Sequence, residues 1–166
     1  MWKKIKKAKD VTSVEEAYSY ALRLLEIRFR GEGELQDRLR EKEFTELAIA
    51  GVLEKLKRLK YVDDSRLLEG LIREYREFGL YGPVYIKQKL LQRKLPKSKI
   101  EKALKDFYPP EEELATARKF KHKQKIANAI DDPKEKQRIM QRFLRRGFNV
   151  SIVFKVFDSL KDADDV

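Results

Sequence analysis

Seven apolar positions recur three times along the chain. Leu35, Leu39, Phe44, Ile49, Val52, Leu53 and Leu56 return 51 residues later as Ile86, Leu90, Leu95, Ile100, Ala103, Leu104 and Phe107. They return again, 104 residues on from the first set, as Ile139, Phe143, Phe148, Val153, Val156, Phe157 and Leu160. Within each set the first two residues form an i, i+4 pair, and the last four follow i, i+3, i+4, i+7. Both spacings place apolar side chains on one face of a helix. Each unit therefore predicts a short middle helix and a longer third helix. Thr45 and Asn149 precede two of the third helices and offer side-chain oxygens to first-turn amides. Pro96 holds the same place in the second unit, where it is tolerated at a helix start. Gly31 and Gly33, Gly82-Pro83 and Asp132-Pro133 mark the starts of the middle helices.

A first helix precedes each of these pairs. Ala17, Tyr18, Ala21, Leu22 and Leu25 form its apolar stripe in the first unit, and Ser13-Val14-Glu15-Glu16 matches a capping box. A shift of 50 gives Leu67, Leu68, Leu71, Ile72 and Tyr75 in the second unit. In the third, over Glu111–Ala129, the stripe thins to Leu114, Ala117 and Phe120, so this helix is expected to be less buried and more mobile. Only Tyr81–Ile86 hints at a strand alternation. The predicted fold is all-α, with three tandem three-helix repeats. The divisions are a basic segment 1–13, repeats at 14–62, 63–109 and 110–160, and an acidic tail 161–166. A unit of about 50 residues buries too little apolar surface to be comfortable alone, and stacking removes that difficulty.

Charge distinguishes the units that the apolar frame makes alike. The net charge of +11 falls as +4 in residues 1–13, zero in 14–62, +4 in 63–109, +5 in 110–160 and −2 in the last six. The second and third units are thus the ones expected to attract an anion. With no cysteine, disulfides and thiolate metal sites are excluded and a reducing compartment fits best. No stretch reaches membrane-span length, and Met1–Asp10 lacks the apolar core of a signal peptide, so a cytoplasmic protein is expected.

Catalytic chemistry finds little material. His122, the single histidine, stands among lysines, as expected of a solvated side chain. Asp63-Asp64 suits helix capping better than metal ligation. No glycine loop cradles phosphate and no serine has a nucleophile context. No enzyme activity, metal or cofactor is expected. The candidate contact residues are Lys87, Lys89, Arg93 and Lys94 around the second unit's middle helix, Arg118, Lys119 and Lys121 on the third unit's first helix, and Arg142, Arg145 and Arg146 on its second. Such residues pair with phosphates or with carboxylates, and spacing does not distinguish the two. Phe44, Phe107, Phe143, Phe148 and Phe157 are expected in the core. Trp2, Tyr81, Tyr85 and Tyr108 lie off the pattern, available either to stack on a partner or to pack helix joints.

Ala17-Tyr18, Ala21-Leu22-Arg23-Leu24-Leu25, Arg28-Phe29-Arg30, Glu34-Leu35 and Leu39 together resemble the opening of the RecX regulatory proteins. Val52-Leu53, Leu56, Tyr61-Val62-Asp63-Asp64-Ser65-Arg66, Gly82-Pro83, Ile86, Leu90 and Arg145-Arg146-Gly147-Phe148 continue the likeness over about residues 14–160. Two departures concern turns: Glu43 and Lys94 replace a glycine that only Gly147 keeps, and Gly31 replaces a serine. The resemblance implies an elongated, curved array. It also implies a modulator of the RecA recombinase that lies along the groove of the RecA–single-stranded-DNA filament. There it would inhibit filament growth, strand exchange and ATP turnover, in DNA repair, recombination and the SOS response. A monomer is expected, with single- or double-stranded DNA as a further partner. The rival reading is a helical protein that binds DNA directly, without a recombinase. A third is a structural adaptor.

Overall fold

A computed structural model of the chain describes residues 11–126 and 132–158. Residues 1–10 of the basic segment with Trp2, Ala129, Leu160 and the acidic tail lie outside the described residues. Among the described residues there are nine helices and no strand. They run in order as α1 (Val14–Ile27), α2 (Glu32–Glu41), α3 (Glu46–Arg58), α4 (Asp64–Glu77), α5 (Pro83–Gln92), α6 (Lys97–Phe107), α7 (Pro110–Lys123), α8 (Pro133–Arg145) and α9 (Val150–Asp158). The fold is an all-α tandem repeat of three-helix units. Helix α5 occupies the stretch where a strand alternation was hinted.

Local chemistry sets the helix starts. Ser13 accepts from the Glu16 amide at 3.2 Å and Thr45 from the Ala48 amide at 3.3 Å. Asp132 accepts from the Lys134 amide at 3.0 Å. Asp63 takes the amides of Ser65 and Arg66, while its neighbour Asp64 reaches back to the amide of Glu32 at 3.0 Å. The two adjacent carboxylates thus cap two different helices. Asn149, which precedes α9, donates its side-chain amide to Glu113 at 2.8 Å.

Packing gathers the helices into two compact bodies. The first contains the chain up to Leu67 together with Arg93–Leu95, the second Leu68–Gln92 and the chain from Pro96 onward. In the first body Ala17, Ala21, Leu35, Leu39, Phe44, Ile49, Val52, Leu53, Leu56 and Val62 form the core. The turn 93–95 seats against the start of α2. A Cβ on Gly33 would lie 2.5 Å from the Lys94 carbonyl oxygen, so only glycine allows this approach. Arg93 Nη2 donates to the Phe29 carbonyl at 2.6 Å.

The second body repeats the device. Gly82 donates to the Arg146 carbonyl at 2.9 Å and Val84 to the Gly147 carbonyl at 3.1 Å. Arg146 Nε donates to the Leu80 carbonyl at 3.2 Å, Nη2 donates to the Gly79 carbonyl, and the guanidinium lies 3.9 Å from the Tyr81 ring centroid. Tyr81 stacks on Tyr85 at 4.0 Å, and Tyr75 meets both edge-on. Leu80, Ala117, Phe120, Ile139, Phe143, Phe148, Ile152, Val153 and Val156 form the core.

Two further expectations change. Phe107 is 40% exposed, because α6 ends there and Tyr108, 4% exposed, turns inward in its place. The Tyr108 hydroxyl donates to the Tyr81 carbonyl at 2.9 Å, and burial pushes its phenol well above the usual range. Helix α7 is not thinly packed: Glu113, Thr116 and Lys121 are buried beside Ala117 and Phe120. Glu113 holds the Asn149 amide at 2.6 Å, so polar contacts complete a face that the apolar stripe leaves short.

Glu43 and Lys94 have φ of 61° and 59°, and Gly147 has φ of 85°. The glycine departures therefore fall at left-handed positions, where a Cβ is strained. Glu43→Gly is expected to stabilise the protein by about 0.5–1 kcal/mol in urea unfolding. Gly82→Ala would put a Cβ 2.1 Å from the Gly147 carbonyl oxygen and is expected to cost about 3 kcal/mol in the same measurement.

Candidate anion-binding surface

The basic residues divide by what they already hold. In the first body cations are largely paired. Glu34 gathers Arg28, Arg30 and Arg93, Arg38 meets Glu41 at 2.7 Å, Arg40 meets Glu46 at 2.6 Å, and Lys57 meets Glu32 at 2.7 Å. The Arg40 guanidinium holds the Glu46 carboxyl below the usual carboxylate range. Exposed pairs of this kind add little stability, but they cancel charge.

The ten residues expected to make contacts meet several fates. Lys87 pairs with Glu101 at 2.7 Å and lowers that carboxyl's pKa. Lys89 lies 5.4 Å from the Tyr85 ring and 3.5 Å from Gln92 Oε1. Arg93 is bound to the Phe29 carbonyl and lies 3.6 Å from Glu34, and Lys94 lies 3.5 Å from Asp37. Arg118 and Lys119 are exposed on α7. Lys121 is buried, its Nζ 5.1 Å from the Phe157 ring centroid, and desolvation lowers its pKa. Arg146 is spent on the joint described above. Arg142 and Arg145 are exposed on α8.

Helix α8 brings together the cations that remain. Lys134, Gln137, Arg138, Gln141 and Arg145 line a shallow concavity of about 410 Å³. Their spacing, i, i+3, i+4, i+7, i+11, makes one stripe, with Arg142 beside it. The stripe lies opposite buried Ile139 and Phe143, as the 100° step of a helix requires. Among the described residues, no carboxylate pairs with Lys134, Arg138, Arg142 or Arg145. An uncompensated cationic row on a rigid helix suits an extended polyanion. Lys134 and Arg138 are absent from the sequence-derived set, although their i, i+4 spacing and alignment with Arg142 and Arg145 were open to view. Among the described residues no group of three His, Cys, Asp or Glu side chains is placed to hold a metal. No described helix is long and apolar enough to cross a membrane.

Comparison with known proteins gives the scaffold its kinship. The family descriptions "RecX, first three-helix domain", "RecX, second three-helix domain" and "RecX, third three-helix domain" match residues 17–56, 63–104 and 111–157. The chain belongs to the RecX family. It is similar to the Regulatory protein RecX of Oceanobacillus iheyensis, 32% identical over 157 residues, covering 92% of this chain and 57% of the relative. It is 29% identical to that of Geobacillus thermodenitrificans, covering 84% of this chain and 52% of the relative. The chain thus spans little more than half the length of these two relatives. With RecX of Caldanaerobacter subterraneus subsp. tengcongensis it shares 29% identity, covering 93% of this chain and 81% of the relative. The crystal structure of RecX from Lactobacillus salivarius superposes with a TM-score of 0.79 at 23% identity, over 89% of this chain and 96% of that one. A second RecX crystal structure gives 0.70 at 28% identity, over 90% and 71%.

The buried Lys121 of this RecX chain gives a pH test. Burial disfavours its charged form, so below the folded-state pKa the charged side chain destabilises the fold. That penalty disappears as pH rises through the lowered pKa toward the unfolded value. Lys121→Met is therefore expected to raise stability at neutral pH, with the gain shrinking as pH rises toward the ordinary lysine range in urea melts.

Proposed function

We propose that this chain is a regulator of the RecA recombinase, which lodges in the groove of the RecA–single-stranded-DNA filament and restrains its ATP turnover and strand exchange. The observation that carries this reading is the cationic stripe of α8, without a carboxylate partner among the described residues, on a RecX-family scaffold. A filament groove is a long surface lined by phosphate and protein charge, and a tandem-repeat chain can meet it with several weak contacts at once. Lys134, Arg138, Arg142 and Arg145 are assigned to the anionic lining. Arg118, Lys119, Lys87 and Lys89, in the same body, extend the contact. Arg93, Lys121 and Arg146 support the fold that presents it. The action is one of binding, without catalysis or cofactor, by a monomer in the cytoplasm.

Direct binding to DNA without a recombinase is the second reading. The same stripe favours it, since a cationic helix face serves a bare duplex as well as a filament. The decisive experiment measures RecA ATPase on single-stranded DNA with the wild-type chain and with Lys134, Arg138, Arg142 and Arg145 all replaced by Glu. Inhibition by the wild type, reduced at least about tenfold in potency by the reversal with the fold intact, is the expected result. Tight, salt-sensitive mobility shifts on DNA alone, with no effect on RecA, would favour the second reading. Unchanged inhibition by the reversed variant would remove α8 from the interface.

A further inference from the structure

Phe29 and Leu80 occupy the same repeat position, 51 residues apart. Arg93 and Arg146, 53 apart, are likewise equivalent. The two arginines pin the two backbones alike, Arg93 on the Phe29 carbonyl and Arg146 on the Leu80 carbonyl. The side chains then part. Leu80 is buried in its core, whereas Phe29 is 75% exposed. A large ring left in water forgoes burial, and here its backbone is held in place. A rigidly mounted, exposed aromatic face is a contact surface in waiting.

The arginines at the Phe29 backbone favour one ligand chemistry. Three guanidiniums, those of Arg28, Arg30 and Arg93, share one carboxylate, Glu34. Arg28 Nη1 lies 3.2 Å from Oε2, Arg30 Nη1 2.5 Å from Oε1, and Arg93 Nη2 3.6 Å from Oε2. Positive charge is therefore in excess at this point of an otherwise neutral repeat. Arg93 Nε is buried without an acceptor. An apolar pocket on a protein partner would match the ring and leave the cations unanswered. A nucleotide in a single strand offers both an unstacked base and a phosphate.

We propose that Phe29 is a stacking platform for an unpaired nucleobase, whose phosphate is met by the half-exposed Arg28. This rests on the reading that the chain acts where single-stranded DNA is present, and it gives the first repeat a ligand of its own. Duplex DNA, whose bases are already stacked, does not use it.

The test measures binding of a fluorescent oligothymidylate and of a duplex of equal length, over a range of salt. Phe29→Ala and Phe29→Leu should each weaken single-strand binding about 5- to 100-fold. Duplex binding and the slope against log salt should stay unchanged, because no phosphate contact is lost. Phe29→Trp, in a chain carrying Trp2→Phe, should bind as the wild type does and show indole quenching on adding the oligothymidylate. Wild-type affinity in the Leu variant would mean an apolar contact and overturn the proposal. So would equal losses on duplex, or an unquenched indole. RecA ATPase run in parallel separates this outcome from the wider one. Wild-type inhibition without Phe29 stacking overturns only this inference, and stacking without inhibition overturns only the recombinase reading.

Discussion

Gly82 and Gly147 let two backbones meet at hydrogen-bond distance, and Arg146 closes the meeting by binding the carbonyls of Gly79 and Leu80. The second body depends on this contact. Buried carbonyls at the end of α4 need donors, and a side chain on either glycine would displace the strand of chain that supplies them. The Tyr81 and Phe120 rings then lie beside the guanidinium, with Tyr75 and Tyr85 packed on Tyr81, so a charged residue is held by carbonyl dipoles and aromatic faces. Arg93 carries out the same task in the first body with the Phe29 carbonyl. The recurrence of the arginine explains how a repeat of modest core can be joined to its neighbour: the apolar frame fills the interior, and a glycine–arginine clasp fixes the approach.

Much of this was written plainly in the chain. The helix faces of Ile49, Val52, Leu53 and Leu56, and of Ile139 and Phe143, followed from spacing because burial on one side of a helix imposes a 3.6-residue period. The caps at Ser13, Thr45 and Asp63 followed from short oxygen-bearing side chains at helix starts. What spacing could not convey was tertiary commitment. Arg145 and Arg146 are neighbours of one chemical type, yet one faces solvent and the other is enclosed, and only the path of the α4–α5 loop decides which. Lys121 and Glu113 look like surface residues until α9 is laid against α7. Tyr108 displaces Phe107 from the core because the helix ends between them, a difference of one residue that periodicity cannot resolve.

These commitments also sharpen the candidate site. A count of basic residues gave the second and third repeats equal standing. Geometry removes Arg146, Arg93 and Lys121 from the free set, pairs Lys87 with Glu101, and leaves α8 with a row of exposed cations. Because opposing charges within a few ångströms cancel at a distance, a row with no carboxylate partner among the described residues attracts a polyanion more than paired cations do. The division between cations that build the scaffold and cations that face outward therefore decides which charges a partner meets.

Adjacent residues give that claim its most direct test. Arg145→Ala and Arg146→Ala should be compared by urea unfolding and by the salt dependence of single-stranded-DNA binding. Arg146→Ala is expected to lose about 2–3 kcal/mol of stability through orphaned carbonyls and a lost ring contact. Arg145→Ala should stay within about 0.5 kcal/mol of the parent and lower the salt slope by about 0.7. Equal stability in the two variants, or a lowered salt slope only in Arg146→Ala, would contradict it.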